Sequence, residues 1–144
     1  MNSITFTVPG VPVGKGRPRF ARKGNHVETY TPAKTVSYEN LIKHYAFLIM
    51  AGRAPLKRPI ALAVDIYMPI PASWSKKRQQ LAVCGLIGAT TKPDWDNISK
   101  LCADAMNAIV FEDDKQIVRA MVTKQYGLIP RVEVRVQEYE KEAA

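Results

Sequence analysis

Between Pro59 and Pro69 the chain runs Ile60-Ala61-Leu62-Ala63-Val64-Asp65-Ile66-Tyr67-Met68, with Asp65 as its only charge. Pro69 and Pro71 follow, and neither has an amide proton with which to continue a ladder. A segment so apolar and so short reads as a strand that needs cover from another layer. Ile4, Phe6 and Val8 alternate with polar residues up to Pro9-Gly10, which predicts a half-buried strand over residues 3–8. Val132, Val134 and Val136 alternate in the same way, predicting a strand over 131–138 after another at about 116–126, with 127–130 between them. Helical periodicity is expected at 32–50, with Val36, Leu41, Tyr45, Leu48 and Ile49 on one face. It is expected again at 96–110, with Ile98, Leu101, Cys102, Ala105 and Ile109 as the apolar stripe. Ser75 is placed to cap a short helix carrying Lys76, Lys77 and Arg78. Residues 9–32, rich in Gly, Pro, Arg and Lys, read as a long loop or loose hairpin. The order predicts an α+β fold, two layers with helices on one face of a mixed sheet. At 144 residues the chain is expected to form a single domain, residues 1–144.

Charge narrows the function. Lys and Arg number 21 against 13 Asp and Glu, a formal net charge of +8. Residues 1–90 hold 13 basic and 3 acidic side chains, whereas residues 91–144 hold 8 basic and 10 acidic. Six of those ten acids fall between Asp94 and Asp114. A basic body with one concentrated acidic stretch points to two partners, a polyanion and a cation, since acids facing phosphate repel it unless metal ions intervene. The plainer reading is a basic protein with one solvated acidic loop. Cys84 and Cys102 are too few for a disulfide scaffold and lack zinc-site spacing. No apolar run approaches a membrane span, and the N-terminus lacks a signal-peptide pattern, so the expectation is a cytoplasmic protein without a membrane partner.

Gly10-Val11-Pro12-Val13-Gly14-Lys15-Gly16 fails as a phosphate loop. Three residues rather than four separate its first two glycines, and Gly16 stands where the metal-binding hydroxyl belongs. No nucleotide cofactor is expected. The chemistry concentrates instead in Lys92-Pro93-Asp94-Trp95-Asp96-Asn97-Ile98-Ser99-Lys100, then Asp104, then Asp113-Asp114-Lys115-Gln116. Pro93 keeps Lys92 out of the helical region, so the chain enters extended and Asp94 and Asp96 point the same way. Asp96, Lys100 and Asp104 follow at helical spacing, opposite the apolar stripe. Carboxylates meeting there would favour Mg²⁺ or Mn²⁺, the hard cations for all-oxygen sites. Singly, each acid is as well explained by an N-cap, a turn or a surface ion pair. Trp95 is expected to be a packing residue.

The pattern K-P-D-x-D-N-x-x-K, a D-A near mid-helix and D-D-x-Q-[IV] resembles the RusA-type Holliday junction resolvases. It stands here as residues 92–100, Asp104-Ala105 and Asp113-Asp114-Lys115-Gln116-Ile117, and the basic stretch Lys15-Gly16-Arg17-Pro18-Arg19 fits the same resemblance. The resemblance implies a homodimeric, Mg²⁺-dependent endonuclease (Mn²⁺ being possible) that nicks four-way junction DNA symmetrically. By the same resemblance Asp94, Asp96 and Asp114 are the metal-binding acids, and Lys100 joins them as a catalytic residue. Phosphate contacts are expected from Lys15, Arg17, Arg19, Arg22 and Lys23, from Lys76, Lys77 and Arg78, and from Lys92. The alternative is a non-catalytic basic nucleic-acid-binding protein. A dimer patch is expected on the apolar strand at 59–68 or on one face of the 32–50 helix.

Overall fold

The computed structural model describes residues 3–16, 19–30 and 32–140. The strands are β1 (Ser3–Pro9), β2 (Arg19–Lys23), β3 (His26–Tyr30), β4 (Ile60–Pro69), β5 (Ile117–Gly127) and β6 (Arg131–Glu138). The α-helices are α1 (Ala33–Met50), α2 (Lys76–Val83) and α3 (Trp95–Met106). One four-stranded sheet runs in the order β1-β6-β4-β5, and β2 pairs with β3 as a separate hairpin. β6 is antiparallel to β1 and to β4, whereas β4 and β5 are parallel, so the sheet is mixed and the fold is α+β as expected.

The short link between β5 and β6 does not make them neighbours, because β4 lies between them. Its nearly unbroken apolar sequence suits that interior position. Ile60, Leu62, Val64, Ile66 and Met68 are buried beneath the helices, and both hydrogen-bonding edges of β4 are taken. On strand 59–68 the opposite row, Ala61, Ala63, Asp65 and Tyr67, stays part-buried, so a dimer patch there would lie on that face rather than on a strand edge. Ile4, Phe6 and Val8 from β1 and Val132, Val134 and Val136 from β6 complete the covered face.

α1 covers this face with Thr35, Tyr38, Ile42, Ala46 and Met50. The expected stripe was rotated: Val36, Leu48 and Ile49 are exposed, as is Phe47, while Leu41 and Tyr45 are only part-buried. The buried row, at i, i+3, i+7, i+11 and i+15 from Thr35, mixes small, aromatic and aliphatic residues, while Val36, Leu48 and Ile49 fall outside it. α3 buries Ile98, Leu101, Cys102, Ala105 and Met106, and burial pushes the Cys102 thiol up to about 12. The helix ends at Met106, short of the expected Val110. Beyond it Ala108 turns left-handed (φ 66°), and Leu56 bonds the Val110 carbonyl and the Glu112 amide, at 2.8 and 3.2 Å. That linkage draws Val110 and Phe111 into the core in a path that a continuing helix would not follow. Ser75 caps α2 as expected, accepting from the Arg78 amide at 3.2 Å.

Candidate active site

The chain reaches α3 through a cis Lys92–Pro93 peptide, and Asp94 occupies the N-cap position in extended conformation (φ −67°, ψ 150°). An aspartate there normally accepts a hydrogen bond from an amide of the first turn. The Asp94 carboxylate accepts none. Asp96, within the first turn, takes only its neighbour's Asn97 amide, at 3.0 Å. Neither carboxylate is in an ion pair among the described residues. Both are exposed and line an open concavity of about 730 Å³ with Thr91, Trp95, Val122 and Lys124. Trp95 is 58% exposed, so the expectation that it packs in the core is corrected. It stands at the first position of α3, one turn ahead of the buried stripe that begins at Ile98.

Further along α3 the acids are engaged. Lys100 donates to Asp104 at 3.0 Å and lies 3.7 Å from Asp114. Lys15 reaches Asp104 from the other side. Burial pushes the Asp104 carboxyl upward, but the hydrogen bonds and charges of Lys15 and Lys100 outweigh this and hold it below the usual carboxylate range. The hydrogen bond and charge of Asp104 raise Lys100 in turn, so it is firmly cationic at neutral pH. Close packing brings Lys15 there. Its amide donates to the Asn97 carbonyl at 3.0 Å, and a Cβ on Gly14 would stand 2.8 Å from the Pro93 Cβ. Gly16 donates to Thr35 Oγ1 at 3.0 Å, and a Cβ there would meet the same oxygen at 2.9 Å. These glycines serve helix and loop packing.

Asp113 caps a 3-10 turn, Asp114–Gln116, accepting from the Lys115 amide at 2.9 Å. Gln116 returns the bond to the Asp113 amide at 2.9 Å and donates to the carbonyls of Leu56 and Arg58 at 3.0 Å each. The capping bond helps hold Asp113 below its ordinary carboxyl range. Asp113 and Gln116 are thus accounted for by local structure, and the Asp114 carboxylate lies between Asp113, with which it shares a hydrogen bond, and Lys100.

Among the described residues, no three acidic, His or Cys side chains stand close enough to cage an ion. Mg²⁺ rarely needs such a cage: it keeps several waters and is held by one or two carboxylates together with substrate phosphate. The open, all-oxygen pair Asp94 and Asp96 fits that demand. Asp114 neighbours Lys100, one helical turn (about 6 Å) along from Asp96.

Residues 9–137, which span this whole arrangement, match the family described as endodeoxyribonuclease RusA. The chain belongs to the RusA endodeoxyribonuclease family. It is also 39% identical over 143 residues to a Bacillus subtilis (strain 168) protein described as uncharacterized protein YqaN, covering 96% of this chain and 98% of that one.

In this RusA-family chain the expected phosphate contacts are dispersed. Arg22 and Lys23 lie on the β2–β3 hairpin, where Lys23 pairs with Glu28 at 3.4 Å and Phe20, Val27 and Tyr30 are exposed. Arg17 lies outside the described residues, and Arg19 contributes backbone to β2. Lys76 and Lys77 are exposed on α2, while Arg78 stacks on the Trp74 ring at 4.1 Å. Lys92 is exposed beside Asp94, and Lys15 is already committed to Asp104. Lys124 was not foreseen. It follows Val122 and precedes Tyr126 on the helix-facing side of β5, lines the acidic concavity and donates to the Thr91 carbonyl. A lysine on the inward row of a strand was the available signal.

Proposed function

We propose that this protein resolves four-way DNA junctions by paired nicks, using Mg²⁺ (Mn²⁺ being compatible) and acting as a cytoplasmic homodimer. The observation that carries this reading is the pair of exposed carboxylates at the mouth of one concavity, Asp94 without a cap bond and Asp96 with only the adjacent Asn97 amide, neither in an ion pair among the described residues. Placed at a helix N-terminus they cost little electrostatically, yet in a chain of net +8 they remain without a cationic partner among the described residues. Family membership makes cleavage of a DNA phosphodiester the chemistry to be explained.

Asp94 and Asp96, with Asp114 beside Lys100, would hold the ion. When bound, it supplies a more acidic water as nucleophile and neutralises charge on the phosphate. Lys100 is no base, because Asp104 keeps it protonated. It presents a fixed positive charge to the non-bridging oxygens, where negative charge grows as the bond breaks. Asp104 orients Lys100 from one turn away. Trp95 offers an exposed face on which a base next to the cut can stack. Arg22 and Lys23 on the hairpin, and Lys76 and Lys77 on α2, grip phosphates farther off.

Two cuts in opposed strands require two sites, and one chain carries one acid pair. A C2 homodimer supplies both, with the exposed Val36, Phe47 and Leu48 of α1 as one of the two apolar patches expected. The test is cleavage of a synthetic four-way junction beside linear duplex of the same sequence, with and without Mg²⁺. Symmetric nicks on the junction alone are expected, together with a dimer in analytical ultracentrifugation at micromolar concentration. Binding without cleavage in either metal would favour the non-catalytic nucleic-acid-binding alternative, and a strict monomer on junction DNA would remove paired nicking.

A further inference from the structure

A second concavity, of about 830 Å³, adjoins the first and shares Thr91 and Asp94 with it. Its wall is built from Pro12, Pro32, Pro69, Pro71 and Pro93, half of the ten prolines in the chain, with Ile70 among them. Proline fixes φ and has no amide proton, so such a wall is rigid and offers no donors facing the groove. The rim is different in character. Lys34 and Lys92 are exposed there, neither in an ion pair among the described residues. α1 opens at Pro32 without a side-chain cap or an acid in its first turn, and Lys34 sits in that turn, where the helix dipole disfavours a cation and favours an anion. On the side toward Asp94, the Asn97 side-chain amide is exposed and has no hydrogen-bond partner among the described residues.

A largely apolar, proline-rich wall, one amide able both to donate and to accept, and two cations at the mouth without ion pairs among the described residues match one kind of ligand: a flat heterocycle flanked by phosphates. We infer that this groove receives a single unstacked nucleobase of the DNA strand lying across Asp94, with Asn97 reading its edge and Lys34 and Lys92 holding the neighbouring phosphates. The inference rests on the junction-cleaving reading above and adds a nucleotide subsite to it. Its volume lies within the roughly 300–1,000 Å³ of small-molecule pockets. At the exchange point of a four-way junction the stack is already interrupted, so removing a base there costs less than in a continuous duplex. Because Asp94 lies on both concavities, a base seated in the groove fixes which phosphate meets the acid pair. The groove therefore couples base identity to the position of the cut.

The experiment uses the full chain carrying Asp96→Asn, to stop cleavage, and four-way junctions with 2-aminopurine placed singly at each position flanking the exchange point. A severalfold rise in its fluorescence at one position on binding is expected. Val11→Trp, which fills the groove from a site 52% exposed, should abolish that rise while leaving junction affinity within about threefold and the melting temperature unchanged. Lys34→Ala, on the helix surface, should reduce the rise severalfold and gives an independent measure. In the cleaving wild type, Asn97→Ala should flatten the preference among junctions that differ only at the responding position. Wild-type junction cleavage with silent reporters at every position, or a rise untouched by Val11→Trp and Lys34→Ala, overturns the groove assignment alone. A wild type that neither binds nor cuts the junction overturns the underlying reading and the groove with it.

Discussion

The two halves of α3 carry the same residue type to opposite ends. At its start Asp94 and Asp96 are exposed, Asp94 without a cap bond and Asp96 with only the adjacent Asn97 amide, and neither is in an ion pair among the described residues. At its far end Asp104 is gripped by Lys15 and Lys100, and beyond it Asp113 closes a capping box with Gln116. The second group explains itself as architecture. The first does not, and the absence of a structural task marks those acids as available for a ligand. Asp114 stands between, near Lys100 at 3.7 Å and hydrogen-bonded to Asp113.

This contrast breaks most sharply under Asp94→Asn or Asp96→Asn. Removing several kcal/mol of charge stabilisation should lower junction cleavage about a thousandfold or more. Thermal unfolding should be unchanged or slightly improved, since an uncompensated negative charge is lost. A parallel fall in melting temperature would return both acids to a structural role. Asp114→Asn should likewise depress cleavage strongly at little cost in stability. Wild-type turnover there would detach Asp114 from the site and place it with Asp104.

Asp104→Asn should behave in the opposite sense. It removes the negative charge and one of the two oxygens that Lys15 and Lys100 share, and should cost about 1–2 kcal/mol in urea unfolding, discounted because both lysines are partly exposed. Cleavage should fall less than in Asp94→Asn. The wild-type pH dependence follows from the depressed carboxyl: its stabilisation is complete above the ordinary value of 3.8 and is lost as pH falls through the lowered one. Asp104→Asn should lose that acid-side contribution, so an identical acid-unfolding curve would show that the two lysines do not hold this carboxylate in solution. The smallest effect belongs to Asp113→Ala, the loss of one exposed cap, with a slight fall in melting temperature and turnover near wild type. A large activity loss there would erase the distinction between the two groups.

Much of this was legible along the chain because it is local. Alternation at Ile4, Phe6 and Val8 and at Val132, Val134 and Val136 depends on the period of a strand, and the cap at Ser75 depends on neighbours three residues away. The spacing of Asp96, Lys100 and Asp104 likewise follows from helical geometry, and the K-P-D-x-D-N-x-x-K pattern carried the family. What escaped was set by partners distant in sequence. Which face of α1 is buried depended on how closely it could approach β1 and α3, and that favoured Thr35 and Ala46 over Leu48 and Ile49. The end of α3 was decided by Leu56, about fifty residues earlier, through its bonds to the Val110 carbonyl and the Glu112 amide.

The residue types and their order along the chain determined by themselves that there would be strands, three helices and an acid cluster on one of those helices, because periodicity, capping and charge act over a few residues. Only the tertiary structure decided which acids were left over. Lys15 lies 89 positions from Asp104 and reaches it only because Gly14 lets the loop press against Pro93. Lys124 joins the Asp94 concavity only because β5 runs parallel beside β4. Electrostatic pairing depends on distance in space, and no spacing within the chain records that distance until the sheet and helices are packed.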